Sequence, residues 1–125
     1  MRATGRTYTP EKTANFETLV KYEYHRQTKG FRFEDNVQIG IRVEAVFPIP
    51  KSVSKRNRAA MEAGIIRHVR KPDTDNILKA VADALNRIAY RDDSAIVYAE
   101  VTKRYGVTPG TNIMLWKITD GREVR

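Results

Sequence analysis

The sequence predicts an α/β domain of the α+β type, with a mixed β-sheet covered by helices. Three observations lead there: period-two alternation over 37–47 and again over 95–102, an apolar stripe at three- and four-residue steps from Asn76 onward, and the irregular order of such stretches. That order argues against a doubly wound parallel sheet. No glycine-rich phosphate loop, internal repeat or zinc-ligand spacing points elsewhere. A chain of 125 residues is long enough for a modest core, so 1–125 is expected to be one domain.

Met1–Tyr8 carries Arg2, Gly5 and Arg6 without periodicity and reads as a flexible basic arm or loop. Thr9-Pro10-Glu11 opens a helix, with Thr9 as cap and Pro10 in the first helical position. Phe16, Leu19, Val20 and Tyr24 then supply an apolar stripe over 10–28. Tyr22 and Tyr24 read as packing residues. From Val37 to Phe47 the odd positions are apolar and Gln38, Gly40, Arg42 and Glu44 alternate with them, giving a strand with one buried face. Pro48 and Pro50 stop it, since neither can donate to a ladder. Lys51–Ala63 reads as a helix closed by Gly64, and Ile65–Arg70 as a short strand or extended lead-in. Ala95, Val97, Ala99 and Val101 mark a second strand ending near Gly106, followed by a turn at Thr108-Pro109-Gly110. Ile113–Trp116 is apolar on both faces, which predicts a third strand that is interior or covered by a partner, with Trp116 in the core. Asp120–Arg125 is expected to fray.

Twenty-three Lys and Arg stand against 15 Asp and Glu, a net charge of +8. On so small a surface that excess favours polyanions, and nucleic acid is the expected partner rather than a membrane. There is no cysteine and no apolar N-terminal run of signal type, so disulfides and thiolate chemistry are excluded and the cytoplasm is expected. Lys51, Lys55 and Arg58 step down one face of the proposed helix with Arg56 beside them. They read either as a solvated face or as phosphate contacts.

Against this basic background, five carboxylates fall within 21 residues: Asp73, Asp75, Asp83, Asp92 and Asp93. Pro72 and Asp73 suit the first turn of a helix, where an acidic side chain caps free N–H groups and complements the dipole. Ile77, Leu78, Val81, Ala84, Leu85 and Ile88 form its buried stripe, with Lys79, Asp83 and Asn86 opposite. Residue by residue, Asp73 or Asp75 could be an ordinary cap and Lys79–Asp83 an exposed i,i+4 pair. The combination asks for more, because a helix needs one cap and two Asp sit at this mouth. Hard cations such as Mg²⁺ take carboxylate oxygens together with water and phosphate, which three converging Asp would suit.

Lys71-Pro72-Asp73-x-Asp75-Asn76-x-x-Lys79, then Asp83-Ala84-Leu85, then Asp92-Asp93-Ser94 closely resembles the core motif of the RusA family of Holliday junction resolvases. The resemblance is sharp from His68 to Val97, weaker over Thr7–Thr13 and Phe47–Lys55, and negligible at the C-terminus. It implies a RusA-like mixed sheet, Mg²⁺ or Mn²⁺ held by Asp73, Asp75 and Asp93, and cleavage assisted by Lys79. It also implies a homodimer that resolves four-way junction DNA by paired symmetric nicks in recombination and repair. Arg67, Arg70 and Lys71 lie next to that motif and are expected to face phosphate, whereas the resemblance gives His68 no catalytic role. The family places a strand before the N-terminal basic loop, while this chain begins inside that loop, so the first family strand is expected to be missing.

Two other readings remain open on the residues alone: a metal-dependent nuclease acting on another branched substrate or on RNA, and a non-catalytic DNA-binding protein. The spacing also poses a problem, since a helix from Asn76 to Ala89 puts ~20 Å between its ends. Either the helix stops near Asn86 and the chain doubles back, or two copies packed antiparallel about a twofold share each site. The second arrangement is the expectation.

Overall fold

The computed structural model describes residues 2–3 and 10–119, with side chains from 15 to 119. The chain runs β1 (Arg2–Ala3), α1 (Pro10–Thr28), β2 (Gln38–Pro48), α2 (Lys55–Glu62), α3 (Thr74–Leu85), a single 3₁₀ turn at Asp93–Ala95, β3 (Ile96–Gly106) and β4 (Gly110–Ile118). The strands form one mixed sheet in the order β1-β4-β2-β3. β2 pairs in parallel with β3, from Ile39 opposite Ile96 to Pro48 opposite Gly106, and antiparallel with β4, from Gln38 opposite Ile118 to Val46 opposite Gly110.

Alternation along β2 sets the layers. Ile39, Ile41, Val43 and Ala45 turn one face inward, where Phe16, Val20 and Tyr24 of α1 and Ile77, Val81, Ala84 and Leu85 of α3 meet them. Burying each larger aliphatic of this cluster contributes about 1.5–3 kcal/mol. The opposite face carries Arg42 and Glu44 on β2, Glu100 and Arg104 on β3 and Asn112 on β4, joined by the Arg42–Glu100 and Arg104–Glu44 ion pairs. The fold is therefore α+β, with α1 and α3 on one face of the sheet.

β3 and β4 are consecutive but flank β2, so Val107–Pro109 must cross two strand spacings of ~4.8 Å each. Gly106 opens that crossing where there is no room for a side chain: a Cβ there would lie 2.7 Å from Val46 Cγ1. In the middle of the sheet Gly40 plays the complementary part, because the Trp116 indole of β4 occupies the space its side chain would need. Trp116 is thus a half-buried ring on the polar face rather than a core residue, and β4 lies between β1 and β2. Tyr22, expected to pack, is 62% exposed, while Tyr24 is buried and donates to the carbonyl of Phe31.

Several element boundaries differ from expectation. Arg2–Ala3, read as part of a basic arm, pairs antiparallel with Asn112 and Thr111 of β4; the remainder of that arm, the Thr9 cap and Asp120–Arg125 lie outside the described residues. The second helix starts at Lys55 instead of Lys51, because the Ser54 hydroxyl accepts from the Asn57 amide and caps it there. Residues 65–70 are irregular, not a strand.

The most consequential difference is the end of α3. The helix stops at Leu85, not Ala89: Asn86 is extended and Arg87 adopts a left-handed conformation (φ 65°). Tyr90 explains the stop. In a continuing helix the Ala82 carbonyl would accept from the Asn86 amide, but the buried Tyr90 hydroxyl donates to it at 2.9 Å, and the Asn86 amide turns to Asp83. Burial, and then Asp93 and Asp83 nearby, push the Tyr90 hydroxyl well above the usual tyrosine range, so it stays a donor.

Candidate active site

α2 and α3 form the crossover between the parallel strands β2 and β3, which puts the start of α3 beside the carboxyl ends of both strands. The 64–72 segment delivers it there and is fastened to β3. Lys103 Nζ donates to the Arg70 carbonyl at 2.6 Å, and Arg67 donates from Nη1 to the Lys103 carbonyl and from Nε to the Gly64 carbonyl. Pro72, after a cis Lys71–Pro72 peptide bond, is buried and precedes the cap instead of filling the first helical position.

Asp73 is the N-cap of α3, and its backbone carbonyl accepts from the Ile77 amide at 3.0 Å, yet its side chain makes no capping bond. Asp75 is exposed in the first turn. This departs from an ordinary capping Asp, whose carboxylate accepts from a free amide of the first turn. Two carboxylates thus sit at one helix mouth in solvent, with oxygens available to a hard cation.

Asp93 lies at the other end of the helix. Its amide donates to Asn86 Oδ1 at 3.0 Å, immediately after the last residue of α3. The 12 helical residues of α3 that separate the two ends span ~18 Å. The helix does stop near Asn86, and the chain loops back as far as the helix end, with a bridge between Asn86 and Tyr90 and the Asp93 amide on Asn86. Among the described residues no group of three or more His, Cys, Asp or Glu side chains could hold a metal ion. One chain therefore brings Asp73 and Asp75 together and leaves Asp93 apart. The donor set fits a divalent cation in part: two free carboxylates at one end, a third at the other. Neighbouring Asp92 is engaged in its own turn, where hydrogen bonds from Ser94, side chain first and then backbone, hold it below the usual carboxylate range.

Lys79 lies one turn beyond Asp75 and one turn before Asp83, and its ammonium pairs with Asp83 at 3.3 Å. With side chains 74% and 44% exposed, such a pair contributes at most about 1 kcal/mol and leaves Lys79 able to exchange partners.

The basic residues divide into anchors and free charges. Lys51 sits in the turn before α2, so it does not share a helical face with Lys55 and Arg58. Arg58 reaches back to the Pro50 carbonyl at 3.4 Å, whereas Lys55 and Arg56 project from the exposed first turn of the helix. Arg67 is committed to the carbonyls that tie the segment down; Arg70 and Lys71 are exposed at its end, next to Asp73. Lys103, and the part Asn86 plays in holding the Asp93 amide, escaped sequence reasoning. Lys103 could have been found as the one charge on the inward side of a strand reading Val101-x-Lys103-x-Tyr105, and Asn86 as a polar residue closing an apolar helical stripe.

Residues 1–116 match the family described as Endodeoxyribonuclease RusA. The chain is also similar to a Bacillus subtilis (strain 168) protein described as "Uncharacterized protein YqaN", at 39% identity over 83 residues. That stretch covers 65% of this chain and 58% of the relative, so the chain spans less than two thirds of the relative's length. No solved structure matches. No helix among the described residues is long and apolar enough to cross a membrane. With the family match running from the N-terminal arm through both acidic ends of α3 and into β4, the chain belongs to the RusA endodeoxyribonuclease family.

Proposed function

We propose that the protein is a divalent-metal-dependent endodeoxyribonuclease that resolves four-way DNA junctions by paired symmetric nicks, acting in recombination and repair in the cytoplasm. The observation that carries this reading is the pair Asp73 and Asp75 at the mouth of α3, with Asp73 free of the capping bond that would otherwise explain it. The family match supports the chemistry and the substrate class.

In this mechanism Asp73, Asp75 and Asp93 would hold Mg²⁺, or Mn²⁺, through carboxylate oxygens. Bound there, such an ion would supply activation of a water and charge stabilisation at the scissile phosphate. Lys79, leaving Asp83, places its ammonium near the developing phosphorane charge. Arg70 and Lys71 hold the adjoining phosphates, and Lys51, Lys55, Arg56 and Arg58 hold phosphates farther along the arm.

Each site is built from two chains. A twofold axis that reverses α3 sets the Asp93 end of one copy against the Asp73 end of the other, which makes the homodimer a condition of metal binding and gives it two sites for two nicks. The outer half of β3 favours this arrangement. Among the described residues β3 has no neighbour on its outer side, and Val97, 58% exposed, and Tyr98, 48% exposed, lie just beyond Asp93 where a second copy would cover them.

Incubating the protein with four-way, flap and linear DNA and with RNA, with and without Mg²⁺, tests this function. Metal-dependent nicking confined to the four-way junction is expected. Preference for flaps or RNA would support a different nuclease, and binding without nicking under any metal would support a non-catalytic DNA-binding protein.

A further inference from the structure

His68 lies in the segment that leads to Asp73, and its half-buried ring is the one aromatic of residues 64–72. It stacks on Phe47 of β2 with centroids 3.8 Å apart and planes 8° from parallel, and meets the edge of Tyr105 of β3 at 5.7 Å. Its Nδ1 is buried and has no hydrogen-bond partner. The ring is therefore held from that side by stacking, not by a polar contact, which is unusual for a buried nitrogen. The charged groups facing it are cations: Lys103 from β3, which also lies 5.8 Å from the Phe47 centroid, and Arg70 from its own segment. Burial first, and then Lys103 and Arg70, hold its pKa below that of free imidazole, so the ring packs as a neutral plate.

We infer that His68 is a positioning residue, a stacked plate that fixes the 64–72 segment, and with it Asp73 and Asp75, against the carboxyl ends of β2 and β3. Hydrogen bonds to Lys103 hold the segment on either side of it: Arg67 Nη1 donates to the Lys103 carbonyl, and Lys103 Nζ donates to the Arg70 carbonyl. Those bonds fix the backbone along the strand edge, whereas the ring fixes its height above the sheet. Without the plate the two carboxylates keep their sequence spacing but lose a defined place relative to Asp93 of a second copy. The catalytic consequence rests on the reading of Asp73 and Asp75 as metal ligands; the clamp itself does not.

The test compares wild type, His68→Ala and His68→Phe by hydrogen exchange over residues 64–75 and by Mg²⁺-dependent junction cleavage, with far-UV circular dichroism as the folding control. His68→Leu, which keeps apolar volume without a planar ring, replaces the alanine variant if that one does not fold. Removing the ring should speed exchange in the segment by about tenfold and lower cleavage by about tenfold or more with junction binding unchanged. His68→Phe, which keeps the plate and has no nitrogen, should restore both. Exchange unaltered by loss of the ring, or not restored by Phe, overturns the inference. If exchange responds as expected but wild type does not cut any junction, the clamp stands and the nuclease reading falls. Restored exchange in a His68→Phe protein that still cannot cut would overturn the positioning role by assigning the imidazole a chemical one.

Discussion

The backbone amide of Asp93 donates to the side-chain carbonyl of Asn86 across 3.0 Å, tying the third acidic residue to the end of α3. Asn86 is therefore expected to act on cleavage through Asp93. Asn86→Ala should lower stability by about 1 kcal/mol, read as a fall in melting temperature, and reduce cleavage while leaving junction binding intact. Asn86→Asp keeps an acceptor oxygen and should recover most of the melting temperature. Equal melting temperatures for wild type and the alanine variant would show that the bond contributes nothing.

Asp75→Asn keeps the shape of the helix mouth while removing a charge the cation needs. Cleavage should drop by at least about a hundredfold, with junction binding no weaker than wild type. Because Asp75 is an exposed acidic residue in the first turn, losing its charge should lower the melting temperature in EDTA only slightly, by the equivalent of about 0.3–1 kcal/mol. Near-normal cleavage would remove Asp75 from the metal site.

Replacing Lys51, Lys55, Arg56 and Arg58 together with Ala should weaken junction binding and flatten its salt dependence by about 0.9 in log–log slope for each phosphate no longer neutralised. Some loosening of the turn before α2 accompanies this, since Arg58 also holds the Pro50 carbonyl. An unchanged slope would return the row to a solvated face.

The depressed pKa of His68 has a definite sign. The folded chain favours the neutral ring, while in the unfolded chain the imidazole takes up a proton near its ordinary value of about 6.5. Its contribution to stability is thus complete above about pH 6.5 and is lost as pH falls through that value towards the lower folded pKa. Thermal melts of wild type and His68→Phe should run parallel at pH 8 and diverge below about pH 6.5, with the wild type losing more. Parallel curves throughout would mean that the ring is not held neutral.

Much of the fold was legible because it rests on periodicity. The stripe of α1, the alternation of β2 and β3, and the acidic mouth of α3 follow from residues at fixed spacings. What the sequence hid depended on contacts between elements. Nothing in Ile88-Ala89-Tyr90 says that the Tyr90 hydroxyl will take the Ala82 carbonyl and end the helix four residues early. The start of α2 was hidden by Lys51, which continues the basic spacing although Ser54 is the better cap. At the site, Asp73 and Asp75 were visible as a motif, but the freedom of the Asp73 carboxylate, the Lys103 tether and the His68 stack were not. These depend on which strand ends the crossover brings beside the segment.

Subunit mixing decides whether Asp73 and Asp75 of one chain work with Asp93 of another. Asp75→Asn and Asp93→Asn proteins, each inactive alone, are combined under conditions that exchange subunits, heterodimer formation is shown by differential tagging, and single nicks in a four-way junction are counted. If sites are shared, a heterodimer holds one site with both substitutions and one with neither. Nicking should then return to roughly a quarter of the wild-type level, since half the dimers are mixed and each has one intact site. If each site is built from a single chain, every site carries a lesion, and a mixture that stays inactive despite proven heterodimers would contradict the shared site.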